Sequence, residues 1–376
     1  MSVREMSRFR RDPLGFVEDF ARRSPTDVFR LPWGAWCVRD TDLAMTVLRD
    51  PVFNSGMAGF FGDMLPSRDT QIGVGRAVRN TVRDYLPAYR EAMARAVAEL
   101  PVVSAWPRTG LELVQRATAS LLLYPAAAPT LRRLQERNVQ IGMMRSPHMR
   151  NRVRAEMLRP KRRAAAIEHV AQRRAEGIPP GPPRDVLDAV LGACPAEVTD
   201  QGAASAYLLL ARSIVGTVGY AVAWALLQAC VHHRPGSSWP WPTDWMAREA
   251  ARHRPVVWMV GRRVPQTAEY GGTAFQPGTV LSVSPYLLHH DQQHWSKPGE
   301  FRPERWGEAG EHGPYLPFSA GPFTCAGAAV AHTLITEALT ALTNGSRLSV
   351  HRATMRPHVT DSAVPRAFEL QRDPTR

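Results

Sequence analysis

Cysteine is scarce in this 376-residue sequence. There are four, Cys37, Cys194, Cys230 and Cys325. They lie far apart, with no CxxC pair and no zinc-type spacing to histidine, which argues against a disulfide framework and points to a reducing, cytosolic compartment. Lysine is nearly missing, since 45 of the 47 basic residues are arginine. The N-terminal "MSVREMSRFRRDPLGF" has no apolar h-region, so neither a signal peptide nor a membrane anchor is expected. Only residues 213–231, "SIVGTVGYAVAWALLQACV", are long and apolar enough to be tested as a membrane span. Arg212 at the start, the polar Ser213, Thr217 and Gln228 inside, and the lack of a second span favour a buried central helix. No helix-turn-helix, zinc or RNA-binding signature accompanies the net charge of +13, so nucleic acid is not an expected partner. There are no internal repeats.

What is present is a globular composition, 44% hydrophobic. The positive charge is local: residues 131–174 hold 13 Lys/Arg against 3 Glu. That pattern suits a solvated helical face, or a landing surface for an anionic partner.

"DVFRLPWGAWCVRD" reads as a hairpin, and "TDLAMTVLRD" as a helix capped by Thr41 or Asp42. Residues 54–75 read as Gly-rich and irregular. From 76 to about 231 the pattern is mostly helical, broken at "LPVVSAWPRTG", "YPAAAPT", "RSPH" and "GIPPGPPRD". "TDWMAREAARHR" is a helix capped by Thr243 or Asp244 and closed by Pro255. Short strands follow over 256–290, then irregular chain to Cys325, then a helix. The fold class is α+β, mainly α with small β-sheets, in one domain over 1–376.

The chemistry-bearing stretch is "LPFSAGPFTCAG", residues 316–327. A thiol flanked by Gly321 and Gly327 just ahead of a helix is oddly placed for a structural cysteine, which is usually buried in an element. Two roles remain, a nucleophile or a thiolate ligand to iron. Glycines allow close backbone approach to a flat cofactor, and backbone N–H groups at a helix start favour the anion.

"FSAGPFTCAG" resembles the haem-ligand loop of the cytochromes P450, FxxGxxxCxG, with Phe318, Gly321, Cys325 and Gly327 in its fixed places. "EAAR" resembles the ExxR helix through Glu249 and Arg252. "FRPERW" supplies Arg305 as the third member of an ion cluster, and "HHDQQHWSKPGEFRPERW" resembles the approach to the loop. The similarity is dense from about 205 onward. It implies the family fold, with haem b between a long central helix and the Cys-ligand loop. Cys325 is then the iron ligand and donates electron density that favours O–O cleavage. Arg79 and Arg262 align with arginines that hold the haem propionates, with Arg263 as the alternative to Arg262 and His289 as a further candidate.

Three positions depart from the family pattern. Gly75 stands where a histidine is common, and Phe323 where arginine or histidine is common. On the central helix Thr217 takes the threonine place and Gly216 replaces the acid, with Ser213 one turn earlier. The resemblance gives Thr217 and Ser213 a distal catalytic role in proton supply; the residues alone equally allow Thr217 to bond back within a buried helix. Gly216 and Gly219 are expected to let the backbone pass a flat ring. Arg212 raises a peroxide-using alternative, in which an arginine on this helix pairs with a substrate carboxylate. Substrate-lining expectations fall on Phe60, Phe61 and Met64 in loop 57–74, on Gly216, on Val257, Trp258 and Met259, and on the methionines of "IGMMRSPHM".

The resemblance implies a bacterial-type monooxygenase, with an acidic ferredoxin as electron donor. Its substrate would be hydrophobic or aromatic, and anionic, peptide or carrier-bound forms fit the basic stretch. Hydroxylation and aromatic coupling both stay open, and secondary-metabolite biosynthesis is the implied setting. The rivals are a peroxygenase and a degenerate haem-binding partner protein.

Overall fold

The computed structural model describes residues 2–54, 59–124, 128–141, 149–178, 180–233, 239–270, 272–310, 312–359 and 361–374. In chain order it contains α1 (Val3–Arg11), α2 (Pro13–Arg23), β1 (Val28–Arg30), β2 (Trp36–Val38), α3 (Thr41–Arg49), α4 (Pro51–Asn54), α5 (Arg68–Ala98), β3 (Val103–Trp106), α6 (Arg108–Ala117), α7 (Ala119–Leu122), α8 (Pro129–Gln140), α9 (Met149–Glu176), α10 (Val186–Ala193) and α11 (Asp200–His232). There follow α12 (Thr243–His253), β4 (Val260–Arg263), β5 (Ala268–Tyr270), β6 (Thr273–Phe275), β7 (Val280–Val283), α13 (Pro285–His289), α14 (Ala328–Thr343), β8 (Ser346–His351), β9 (His358–Val359), β10 (Ala363–Val364) and β11 (Phe368–Pro374). The mainly helical α+β expectation is met.

The strands form four small sheets. One has the order β1-β2-β7-β4, so the early hairpin is joined to the later strands by a parallel β2/β7 pair, Cys37 opposite Ser282. Another has the order β3-β11-β8. Its strand β3 lies inside the predicted break at 100–110, and β11 recruits it from the far end of the chain.

α11 runs through the middle. Thr199 starts it by accepting the N–H of Gly202. The helix is long and apolar enough to cross a membrane, yet 72% of its most apolar window is buried inside the protein. α6 packs close to it because Gly110 and Gly219 face each other. A β-carbon on Gly219 would lie 3.1 Å from the Gly110 carbonyl oxygen and 3.0 Å from the Leu111 Cα. The expectation that Gly219 serves a flat ring is corrected, since its missing side chain makes room for α6. The main core joins α5, α6, α10, α11 and α14, through residues such as Val78, Leu113, Val190, Trp224 and Leu339.

Local starts also differ from expectation. Asp40, not Thr41 or Asp42, caps α3 by accepting the Leu43 N–H at 2.6 Å. Pro242 precedes α12, whose first residue is Thr243. Ser67 starts α5 at Arg68, so residues 68–75 are helix rather than irregular chain. Two interior glycines hid this start, and the burial of Val74 and Val78 on one face outweighs their low helix propensity.

Candidate active site

The loop before α14 presents Cys325. Its N–H donates to the Phe318 carbonyl at 3.0 Å, and its carbonyl accepts from the Ala328 N–H at 3.1 Å. Thr324 closes the turn on the Gly321 carbonyl through its N–H and its hydroxyl. Cys325 is the exposed cysteine of the four. Packing immediately around its thiol raises the pKa by desolvation, and the Gly327 N–H draws it back down.

The two glycines do different things. Gly321 has φ +72, and a β-carbon there would strike the Leu48 carbonyl and come within 2.9 Å of the Arg49 Cα. Its need is set by α3, not by a cofactor. A β-carbon on Gly327 would meet nothing closer than 3.8 Å. That face of the loop is open.

Behind the loop sits a buried hub. Arg252 donates to Glu249 from Nε at 3.0 Å and from Nη2 at 2.8 Å. Arg305 Nε donates to Glu249 Oε1 at 3.2 Å. The Arg302 N–H (2.9 Å) and the Trp306 indole (3.2 Å) complete the carboxylate's bonds. Arg252 also donates to the carbonyls of His289, Pro298 and Glu300, which pins the approach to the loop. Burial lowers the Arg305 pKa and Glu249 opposes that.

His289 belongs to this hub, which corrects its expected propionate role. One ring nitrogen, Nδ1, bonds the Arg252 carbonyl at 3.0 Å, and the other, Nε2, accepts the Leu316 N–H at 2.8 Å. Burial pushes its pKa down to about 3. It is neutral and has no nitrogen left for a carboxylate.

Arg262 behaves otherwise. It is buried on β4 while Arg263 points to solvent, which decides between the two. Its Nε donates to Asn54 Oδ1 at 2.8 Å and its Nη1 to the Gly261 carbonyl at 3.0 Å. Its Nη2 is buried without a partner. Arg79 lies exposed on α5. The same helix packs on the cysteine loop through Gly75, where an added β-carbon would lie 3.4 Å from the Ala326 Cβ. Phe323 lies between two guanidinium groups, Arg68 at 4.3 Å and Arg262 at 5.3 Å from its ring centre. Arg68 also donates to the Pro322 carbonyl at 2.5 Å. Neither Arg68 nor Asn54 was expected from sequence. The only trace of Arg68 was its place after the cap Ser67.

On α11, Gly216 is buried. The Thr217 hydroxyl donates back to the Ser213 carbonyl, and Ser213 Oγ donates to the Leu209 carbonyl at 2.8 Å. Both hydroxyls therefore have helix partners, and each oxygen can still accept. Arg212 is ion-paired with Asp361 at 2.5 Å.

The substrate-lining expectations fare unevenly. Phe60 is 54% exposed, Phe61 is buried in the main core, and Met64 is half-buried. Trp258 is corrected: it is buried among Leu14, Phe16 and Leu31 in the N-terminal core, with Met259 packed on that core and Val257 exposed. In "IGMMRSPHM" residues 142–148 lie outside the described residues, as do residues 57 and 58 of the early loop.

A family profile described as "Cytochrome P450" matches residues 243–364. Cytochrome P450 3A6 of Oryctolagus cuniculus is 33% identical over 118 residues, 30% of this chain and 24% of that protein. Cyclooctatin synthase of Streptomyces melanosporofaciens is 34% identical over 110 residues, 28% of this chain and 24% of that protein. The matched stretch spans about a quarter of the length of these curated relatives. Over the whole fold, P450BioI, solved in complex with an acyl carrier protein ligated to hexadec-9Z-enoic acid, superposes with a TM-score of 0.75. It is 14% identical and covers 98% of this chain and 99% of its own. Residues 243–364 are similar to the cytochrome P450 family, and the fold of the whole chain is that of cytochromes P450.

Proposed function

We propose that the chain is a haem-thiolate monooxygenase acting on a hydrophobic or aromatic substrate. The observation that carries this is Cys325, presented on an open loop face whose frame is the buried Glu249–Arg252–Arg305 hub. The residues fit a haem. The thiol is accessible, Gly327 leaves room beside it, and the orphaned Nη2 of Arg262 is a buried donor suited to a propionate. Haem b bound there supplies the oxidative chemistry of the family.

The protein's part follows from its own atoms. Cys325 loses its proton on ligation, which the Gly327 N–H assists. Arg262 would hold one propionate in a direction set by Asn54, and Arg79 on α5 would meet the other. With glycine at 216, protons reach the substrate side through the Thr217 Oγ and solvent rather than through a carboxylate.

Arg76 and Arg83 are exposed on α5, seven residues apart and so on one face, and Gly75 of the same helix meets the Cys325 loop. They suit an acidic ferredoxin as donor of two electrons. A carrier-bound substrate is consistent with the carrier complex of P450BioI and with the basic α9. The glycine at 216 favours one second reading, peroxide use, in which no donor protein is needed. A soluble, cytoplasmic protein of secondary metabolism fits these features.

The test is the absorption spectrum of the reduced protein under carbon monoxide. A strongly red-shifted Soret band that is lost in Cys325→Ala supports the reading. A band typical of histidine ligation, or no haem, overturns it. Turnover with peroxide and no reductase then decides between the two oxidants.

A further inference from the structure

A cleft of about 160 Å³ lies between α2, the end of α12, α13 and the loop 355–357. That is roughly tenfold what one water needs, so the cleft admits a small organic molecule. Its lining is mostly polar, with two acids and two arginines, and Met355 and Pro357 form an apolar side. No residue of the Cys325 loop, of α5 or of α11 takes part in it.

One of the two charge pairs is already matched. Arg356 Nε lies 3.5 Å from Asp12, which also accepts the Gly15 N–H at 3.2 Å. Glu18 and Arg254 are not matched: neither has an opposite charge within 4 Å among the described residues. Burial raises the Glu18 pKa, and a hydrogen bond from the Tyr286 hydroxyl draws it back down. Arg254 spends Nε on the Met355 carbonyl at 3.2 Å and Nη1 on the His253 carbonyl at 2.7 Å. Its Nη2 has no hydrogen-bond partner among the described residues. Burial lowers the Arg254 pKa, and Tyr286, Glu18 and Asp12 oppose that. The cleft thus holds a carboxylate and a guanidinium edge, both partly desolvated and too far apart to pair with each other.

We propose that this cleft binds a zwitterionic α-amino acid, its ammonium on Glu18, its carboxylate on Nη2 of Arg254 and an apolar side chain against Met355. The charge balance makes the choice. A plain anion would meet Arg254 but also face two carboxylates, and a plain cation would meet Glu18 but also face two arginines. A ligand with both charges on one carbon leaves neither partner unanswered. Tyr286 fixes both, since its hydroxyl holds Glu18 and its ring lies 5.8 Å from the Arg254 guanidinium. The bound amino acid bridges α2 to the end of α12, the helix that carries Glu249 and Arg252. The site is separate from the one proposed for haem and does not depend on it.

Calorimetric titration of the purified holoprotein with L-leucine, N-acetyl-L-leucine and L-leucinamide tests this without using the haem signal. The first probe carries both charges, the second lacks the ammonium and the third lacks the carboxylate. L-leucine is expected to bind at least tenfold more tightly than either of the others. Glu18→Gln, which can keep the bond from Tyr286, weakens L-leucine at least tenfold and leaves N-acetyl-L-leucine unchanged. Arg254→Lys keeps the charge and loses the planar fork, and weakens L-leucine severalfold; it serves if Glu18→Gln does not fold. Arg30→Gln, an exposed charge on β1 outside the cleft, changes nothing. No binding of L-leucine overturns the proposal. So does equal affinity for L-leucine and L-leucinamide, which would mark a site for a cation alone, or for L-leucine and N-acetyl-L-leucine, which would mark a site for an anion alone. Equal losses in Arg30→Gln and Glu18→Gln also overturn it.

Discussion

The side-chain oxygen of Asn54 accepts the Nε–H of Arg262 at 2.8 Å, and this decides which edge of the guanidinium is left over. Asn54 is itself fixed, its amide nitrogen donating to the carbonyls of Asp50 at 2.6 Å and Leu48 at 3.2 Å. Its oxygen must therefore face β4. Arg262 spends Nη1 on Gly261 and keeps Nη2 free.

If that free edge holds a propionate, Arg262→Gln removes a charge-assisted hydrogen bond of about 1.5–3 kcal/mol, and haem is released roughly 10- to 100-fold faster. Asn54→Ala has a smaller effect of the same sign, because the arginine remains but loses its aim. Haem transfer to excess apomyoglobin measures both. Release from Arg262→Gln at the parent's rate counts against the assignment.

Gly321 and Gly327 separate folding from cofactor fit. Gly321→Ala forces an L-residue to φ +72 against the α3 backbone, and destabilises the fold by about 1–2 kcal/mol from the dihedral alone. Gly327 has φ −96 and no contact closer than 3.8 Å for an added β-carbon. Gly327→Ala is expected to leave the urea midpoint of the haem-free protein unchanged while lowering haem occupancy. A matched loss of stability in the two variants contradicts the distinction.

Glu249→Gln leaves Arg252 and Arg305 buried with no opposing charge. Breaking such a cluster costs about 3–5 kcal/mol. Arg252→Lys is nearly as damaging, since one ammonium cannot serve Glu249 and the carbonyls of His289, Pro298 and Glu300 together. Urea denaturation of both variants checks this, and a cost under about 1 kcal/mol marks the hub as dispensable.

The hub and the loop were legible because short spacings carry them. Glu249 and Arg252 share a helix face at i,i+3, and Phe318 to Gly327 is a contiguous motif. The long-range partners were not. Arg68 meets Phe323 across 255 positions of chain, and nothing local marks it. His289 looked free because the hydrogen bonds that engage it come from Arg252 and Leu316. Trp258 looked like pocket because its neighbours in the core, Leu14 and Phe16, belong to α2. Gly219 was assigned to the right helix and the wrong contact, since only the fold reveals Gly110 opposite it.

Thr217 and Ser213 differ in a way that kinetics can read. Both hydroxyls bond back to the carbonyl four residues earlier, and the difference is one of place: Thr217 lies one turn further along α11, next to Gly216. Thr217→Val keeps the shape and removes the hydroxyl. Product formation is expected to fall by about 10²-fold, the lower end of what a positioned proton donor contributes, with substrate affinity retained. Ser213→Ala leaves the rate near the parent's. Parent-like turnover in Thr217→Val assigns proton supply to solvent alone.

Acid sensitivity follows from His289. Its folded pKa of about 3 lies below the unfolded value of 6.5, because burial disfavours the cation. The unfolded chain therefore takes up the proton first. The stability that this neutral ring contributes is complete above about pH 6.5 and is lost as pH falls toward 3, at up to ~1.4 kcal/mol per pH unit. His253 and His290 are shifted in the same direction, also by burial, and steepen the loss. His289→Asn can still bond the Arg252 carbonyl but has no ionisable ring. Its stability is expected to be lower than the parent's at pH 8 and to fall less steeply between pH 6.5 and 5, as read from urea midpoints across that range. An unchanged slope means that His289 is protonated in the folded protein, and the hydrogen bond it accepts from Leu316 could not then persist at low pH.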